Sequence, residues 1–410
     1  MVPAFLRPFA AQAATADSHI LVAIMLAGGN DGLNTVIPLT QYGPYTDLRK
    51  PLNGPTGGQL NIPLASLAAT AFESDYRVPA SKATTFAFNP SMTAMRDLYA
   101  KGKVAVINGI GIPPADTNRL SHQTGQFDWQ SGTINQTAQT TTGWLGLTLD
   151  SAPGGALPAM MSMSGQLPQL MQGKINSPLV LNPPLENFDL SYQTGDQNDS
   201  SQRELEFRRI DATQSGTETG EFVRGVSQSA TKLVSVVQSV AHFQTVPGYP
   251  QPQSYLSTQL QQIARVILSG SGVSAYFAVQ GSYDTHSNQQ NAHPGLLQDL
   301  SDSISAFYTY LAAKGASKNV TIMTFSDFGR RAQGNASLGT DHGTSSVAFM
   351  IGDPVRGGTY GAYSNLKSLD QDGNLVVQVD FRNAISDMIG YLGADPTPIL
   401  GKTYPKLGFI

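Results

Sequence analysis

Short, unbroken apolar runs punctuate this chain at intervals. They read ILVAIML at 20–26, VAVING at 104–109, SAYFAVQG at 274–281, NVTIMTFS at 319–326 and SSVAFMIG at 345–352. Runs of this length with no polar alternation are the pattern of strands buried on both faces. Weaker runs suggest further short strands near 157–164 and 177–182. Between them, apolar residues recur at helical spacing over 91–101, 217–243, 254–269, 296–315 and 380–393. Residues 184–216 are polar with few apolar anchors and read as a loop-rich excursion. Strands separated by helices along the whole chain predict an α/β fold. The expected form is a three-layer sandwich, with a mostly parallel central sheet and helices on both faces.

No low-complexity linker or internal repeat divides the 410 residues. The expectation is a single domain over 19–410 with a helical insertion at about 184–270. The short, Ala-rich start, 1–18, reads as an export-signal remnant or a disordered leader. No apolar run reaches the ~18 residues of a membrane span. Charged residues are only 13% of the chain and the formal net charge is −4, which argues against nucleic acid as a partner. The polar uncharged surface suits an exported protein, periplasmic or secreted. The absence of cysteine excludes disulfides, thiol nucleophiles and thiolate metal sites.

Ligands of open parallel sheets sit outside the carboxyl ends of the strands, and polar residues gather there. Asp31 follows the first run. RLSHQTGQFDWQSG (119–132) follows the second, GSYDTHSNQQ (281–290) the third and SDFGRR (326–331) the fourth, while GTDHGTSS (339–346) precedes the fifth. A lone Asp after a strand is ordinarily a helix N-cap. Several carboxylates and imidazoles on one rim need a compensating cation or ligand. Asp31, Asp284, His286, Asp327, Asp341 and His342 are oxygen and nitrogen donors suited to Zn or Mn, or to Ca or Mg if oxygens dominate. Ser121 is a candidate nucleophile at a helix start, where free N–H groups favour anions. Arg330 is a candidate clamp for an anionic ester. GGNDG lacks the spacing of a phosphate-cradling loop. His293 reads as a turn residue, and Trp129 and Trp144 as core.

LAGGNDGLN, RLSHQTGQFDWQSG with GWLG, YDTHSNQ, TFSDFGRR and GTDHGT together resemble a large bacterial family of exported proteins of unknown function, often with a twin-arginine signal. The resemblance runs from Leu21 to beyond Phe381. That family is similar in turn to the alkaline phosphatase and sulfatase superfamily. The resemblance implies Asp31 as first metal ligand, Ser121 as nucleophile, Asp284 and His286 as mid-chain ligands, Asp327 as the acid of an Asp-His pair and His342 as the final His. Phe328 stands where the phosphatases have a His, so a second metal site would lack a ligand unless His122 or Asp341 replaced it.

The function expected on these grounds is metal-dependent hydrolysis of phosphate or sulfate esters, acting on a small-molecule or glycan anionic ester. The cofactor is a divalent metal (Zn, Mn or Ca), and His122 is a candidate proton donor to the leaving group. The alternative is an exported, non-catalytic binding protein for an anionic glycan or lipid head group, with a structural metal.

Overall fold

The computed structural model describes residues 19–50, 59–77, 85–113, 120–134, 141–150, 158–185, 248–251 and 253–410, with isolated positions between 202 and 237. The expected leader at 1–18 lies outside the described residues. So does the expected helix at 217–243, apart from single positions that are helical.

Every other apolar run forms the element its pattern predicts. In chain order the strands begin with β1 (Ile20–Leu26), β2 (Val36–Pro38), β3 (Ala71–Phe72), β4 (Phe86–Phe88) and β5 (Val104–Gly111). β6 (Met160–Ser162), β7 (Leu179–Val180), β8 (Ala275–Gln280) and β9 (Val320–Ser326) follow. The last are β10 (Gly329–Arg330), β11 (His342–Gly343), β12 (Ser345–Gly352), β13 (Gly358–Tyr360) and β14 (Val379–Asp380).

Nine of these strands form one sheet in the order β13-β5-β12-β9-β1-β8-β6-β7, with β14 also on β5. β1 runs parallel to β8 and β9, while β12 runs antiparallel to both β5 and β9. The fold is thus α/β with a mostly parallel sheet. Its two faces are covered separately. Val22, Ile24 and Leu26 pack toward the helices Thr93–Ala100, Tyr255–Leu268 and Gln289–Ala313. Leu21, Ala23 and Met25 pack toward Trp129, Trp144 and Phe381, so both tryptophans are core. β1 is buried on both sides because its two alternating faces meet two different layers. Among the described residues, no helix is long and apolar enough to cross a membrane.

Register explains the rim. Leu26, the last residue of β1, lies opposite Gln280 of β8 and Ser326 of β9, each also the last of its strand. The three chains therefore leave the sheet together, at 27–31, 281–286 and 327–330. β12 runs the other way, and its first residue, Ser345, pairs with Gly111 at the end of β5. That reversal brings His342, which precedes a strand, to the edge where the other polar groups follow strands.

A small antiparallel sheet, β2-β4-β3, packs beside this rim. A buried ion pair joins the segment after β1 to the end of the helix Tyr42–Leu48, which follows β2. Asp31 caps the one-turn helix Gly32–Thr35, its Oδ1 accepting from Leu33 and Asn34 N–H at 3.2 and 3.4 Å. Arg49 donates to both carboxylate oxygens, at 2.8 and 2.7 Å, and Gln289 Nε2 donates to Oδ2. Both charged side chains are fully buried. Burial works to raise the Asp31 pKa, but Arg49, His293 and the hydrogen bonds outweigh it and leave it below its ordinary value. Next to this pair, His293 contacts Asn30 Oδ1 at 2.9 Å through Nε2. It is a buried residue inside the helix Gln289–Ala313 rather than the expected turn residue.

Removing one partner of a buried pair leaves a bare charge in the core. Arg49→Met is expected to lower unfolding free energy by about 3–5 kcal/mol in urea titrations. Adding Asp31→Asn to it should recover much of the loss, and equal instability of the single and double variants would refute the pairing account. A second expectation concerns acid. Burial lowers the His293 pKa from 6.5 to about 4, so the unfolded chain binds a proton that the folded chain refuses between those values. Stability should therefore fall as pH drops from 6.5 towards 4, by about 3 kcal/mol from this group. A His293→Gln variant should lose that part of the slope in denaturant midpoints measured across the same window.

Candidate metal centre

Three imidazoles converge on one carboxylate at the rim. Asp284 follows β8, His122 opens the helix His122–Ser131 and His342 lies in β11. Ligand atoms of these three residues all lie within 4.8 Å of one another, a spacing that can hold a metal ion. Asp284 Oδ2 is 3.3 Å from His122 Nε2, and Oδ1 is 3.3 Å from His342 Nε2. His286 joins the group, its Nε2 3.1 Å from Asp284 Oδ1 and 2.9 Å from His342 Nε2.

The far nitrogen of every ring is anchored. His122 Nδ1 lies 2.7 Å from Asp327 Oδ2, His286 Nδ1 3.2 Å from Asp341 Oδ1 and His342 Nδ1 2.6 Å from the Leu120 carbonyl oxygen. A carbonyl and ionised carboxylates can only accept, so each Nδ1 carries a proton, and a ring that is neutral then offers its Nε2 lone pair to a cation. Two bare lone pairs at 2.9 Å repel unless a proton or a cation sits between them. Anchoring one ring nitrogen on a carboxylate or carbonyl is the usual support of a metal-binding histidine. The donor chemistry thus fits a divalent ion held by His122, Asp284 and His342, with His286 beside them.

The supports are themselves held. Asp327 is buried, and its Oδ2 also accepts from Gly28 N–H and Gln126 Nε2, both at 3.1 Å. Asp341 accepts from Asn335 Nδ2 at 3.0 Å, and Asn335 also donates to the His286 carbonyl at 2.9 Å. Burial works to raise both Asp284 and Asp341. Arg330, His342 and His122 outweigh it at Asp284, bringing it down to about 2. Asn335 and His286 lead the opposite pull on Asp341, which also ends below its ordinary value. Burial pushes the His342 pKa down, which favours the neutral ring a metal needs.

The structure does not bring every expected residue to this point. Asp31, expected as the first metal ligand, has its carboxylate taken up by Arg49 and Gln289 and belongs to the buried pair instead. Asp327 and Asp341 stand behind His122 and His286 as supports. His122, expected as a proton donor, sits among the converging ring nitrogens. Arg330 is fully buried rather than a free fork. Its guanidinium donates to the carbonyls of Gly29 and Thr340 at 2.8 Å, to those of Gly28 and Tyr283, and to Asp284 Oδ1 at 2.6 Å. Ser121 is the N-cap of the His122 helix, accepting from Thr124 N–H at 3.2 Å and donating to Thr124 Oγ1 at 2.9 Å. Phe328 lies buried against the His342 and His122 rings, with centroids 4.4 and 5.0 Å away, and supplies no donor atom for a second ion.

The two glycines after β1 make this closeness possible. A Cβ on Gly28 would lie 2.4 Å from the Asp284 backbone nitrogen, and one on Gly29 would lie 2.5 Å from the Phe328 ring. Both also have positive φ, 122° and 82°, which side-chain-bearing residues rarely adopt. Arg49, Gln289, Asn335, Gln126 and the Leu120 carbonyl escaped the sequence reading. They act through tertiary contact, and no local spacing marks them.

Among solved structures, the chain overlaps that of Ps i-CgsB in complex with k-i-k-neocarrahexaose at a TM-score of 0.40 and 10% identity, covering 96% of this chain and 75% of that one. A 2-O GAG sulfatase overlaps at 0.33 and 10% identity, covering 95% and 76%. The PsFucS1 sulfatase from Pseudoalteromonas sp. overlaps at 0.38 and 10% identity, covering 95% and 71%. No curated protein matches the sequence. The family described as protein of unknown function (DUF1501) matches residues 18–402, and the chain belongs to that family.

Proposed function

We propose that this protein is a metal-dependent hydrolase of phosphate or sulfate esters. The observation that carries the reading is the convergence of three Nδ1-anchored imidazoles on the half-exposed carboxylate of Asp284. Three nitrogens and one carboxylate favour Zn over Ca, which prefers an all-oxygen shell. When bound, such an ion supplies Lewis acidity toward an ester oxygen and favours the ionised form of a nearby hydroxyl.

The chain's own residues divide the remaining work. His122, Asp284, His286 and His342 form the ligand set, so His122 is assigned as a ligand rather than a proton donor. Asp327, Asp341 and the Leu120 carbonyl fix ring orientation, and Arg330 holds Asp284 in place. Ser121 is the proposed nucleophile. It lies between Leu120, whose carbonyl touches His342, and His122, at a helix N-terminus whose N–H groups favour an anion. Its Oγ would attack phosphorus or sulfur as the leaving oxygen departs with a proton. Water would then release phosphate or sulfate from the serine. The uncharged polar composition favours action outside the cytosol, in the periplasm or after secretion.

The test is turnover of a panel of aryl phosphate and aryl sulfate esters by metal-loaded and chelator-treated protein. Activity is expected only with metal. Ser121→Asn keeps an N-cap while removing the hydroxyl, so stability should stay within about 0.5 kcal/mol of wild type. Its turnover should fall at least about a hundredfold, which is the loss of roughly 2.7 kcal/mol of transition-state stabilisation. Full turnover in Ser121→Asn would remove Ser121 from the role. Metal-dependent ligand binding with no turnover of any ester would favour the binding-protein alternative.

A further inference from the structure

A second concave site adjoins the rim and has a different chemistry. Gln289 separates the two. Its Oε1 accepts from Thr285 and Thr340, which neighbour Asp284, His286 and Asp341 in sequence, and its side chain also lines a cavity of about 440 Å³. Asn61, Asn89, Gln290 and His293 are further parts of the cavity wall, and Ile62 and Pro294 give it apolar faces. No lysine, arginine or carboxylate is among the described residues lining it. We propose that this cavity binds an uncharged sugar ring.

The volume lies in the range of small-molecule sites. Asn34, Asn89 and Gln289 spend their amides within the protein, which leaves Gln59, Asn61 and Gln290 on the wall to offer the paired donor and acceptor of a primary amide that adjacent hydroxyls require. Asn61 Oδ1 is buried and has no hydrogen-bond partner among the described residues. His293 is 1% exposed and has its Nε2 tied to Asn30, so its other nitrogen is the one left for a ligand. With its pKa lowered to about 4 by burial, the ring is neutral at pH 7 and adds no charge to the wall. An apolar ligand would leave these polar groups unpaired, and an ionic one would find no counter-charge on the wall. A pyranose matches both surfaces, hydroxyls on the amides and its C–H face on Ile62 and Pro294.

The site stands independently of the proposed hydrolysis. Titration calorimetry of the full chain with D-glucose, D-galactose, cellobiose and D-glucuronate tests it. Saturable binding of at least one neutral sugar is expected, with glucuronate binding at least about tenfold more weakly. Asn61→Leu and the more exposed Gln290→Ala should each weaken the neutral sugar by about tenfold with the fold intact by circular dichroism. Chelator treatment should leave sugar binding unchanged, which separates this site from the metal centre. No saturable binding of a neutral sugar, glucuronate binding as well as the neutral sugars, or full affinity in both variants would overturn the proposal.

Discussion

The Arg330 guanidinium is the interaction on which this rim depends. It sits fully buried where β1, β8 and β9 end together. Its N–H groups reach the carbonyls of Gly28 and Gly29 after β1, Tyr283 after β8 and Thr340 before β11. One further bond goes to Asp284. Backbone carbonyls leaving a sheet have lost their strand partners and must be satisfied elsewhere. A rigid planar donor with five N–H groups satisfies several of them at once and fixes the loops relative to one another. The charge is compensated by a carboxylate that faces outward. A buried structural cation therefore sets the position of the carboxylate at the centre of the candidate metal site.

Two aspartates follow adjacent, parallel strands and meet opposite fates. Asp31 is sealed beneath the rim, with a bidentate arginine on its carboxylate and a one-turn helix on its Oδ1. Asp284 is half exposed, shares one arginine contact and faces three imidazole nitrogens. The difference is supplied by the third dimension. Arg49, at the end of the helix Tyr42–Leu48, and Gln289 cover the first, while nothing among the described residues seals the second. One carboxylate is used for folding, and the other is available for chemistry. Phe328 reinforces the division by filling the space beneath His122 and His342 with an apolar ring.

Much of this architecture was legible in the apolar runs. Ile20–Leu26, Val104–Gly111, Ala275–Gln280, Val320–Ser326 and Ser345–Gly352 stand where continuous burial predicts strands. The clustering of polar residues at their ends was legible for the same reason, because a two-sided buried strand leaves only its termini for function. The reversal of β12 was not legible, since a strand buried on both faces reads the same in either direction. Neither were the roles of Asp31 and Arg330. A carboxylate or guanidinium declares its charge in the sequence but not its partner, and Arg49 reaches Asp31 from the C-terminal cap of the short helix Tyr42–Leu48. His293 was misread because the helix begins earlier than its apolar pattern does, at Gln289, and runs through Pro294 in its first turns.

The central claim is that His122, Asp284, His286 and His342 form a divalent-metal site whose rings are oriented from behind. Elemental analysis of the protein after metal loading and exhaustive dialysis, beside His342→Ala and Asp341→Asn, tests it most directly. The account predicts a single tightly held divalent ion per chain, zinc in preference to calcium. It also predicts loss of that ion in His342→Ala, and affinity weakened about 10- to 100-fold in Asp341→Asn, where only the support of His286 is changed. A protein that retains no stoichiometric metal after loading, or one whose metal content is untouched by His342→Ala, would contradict it.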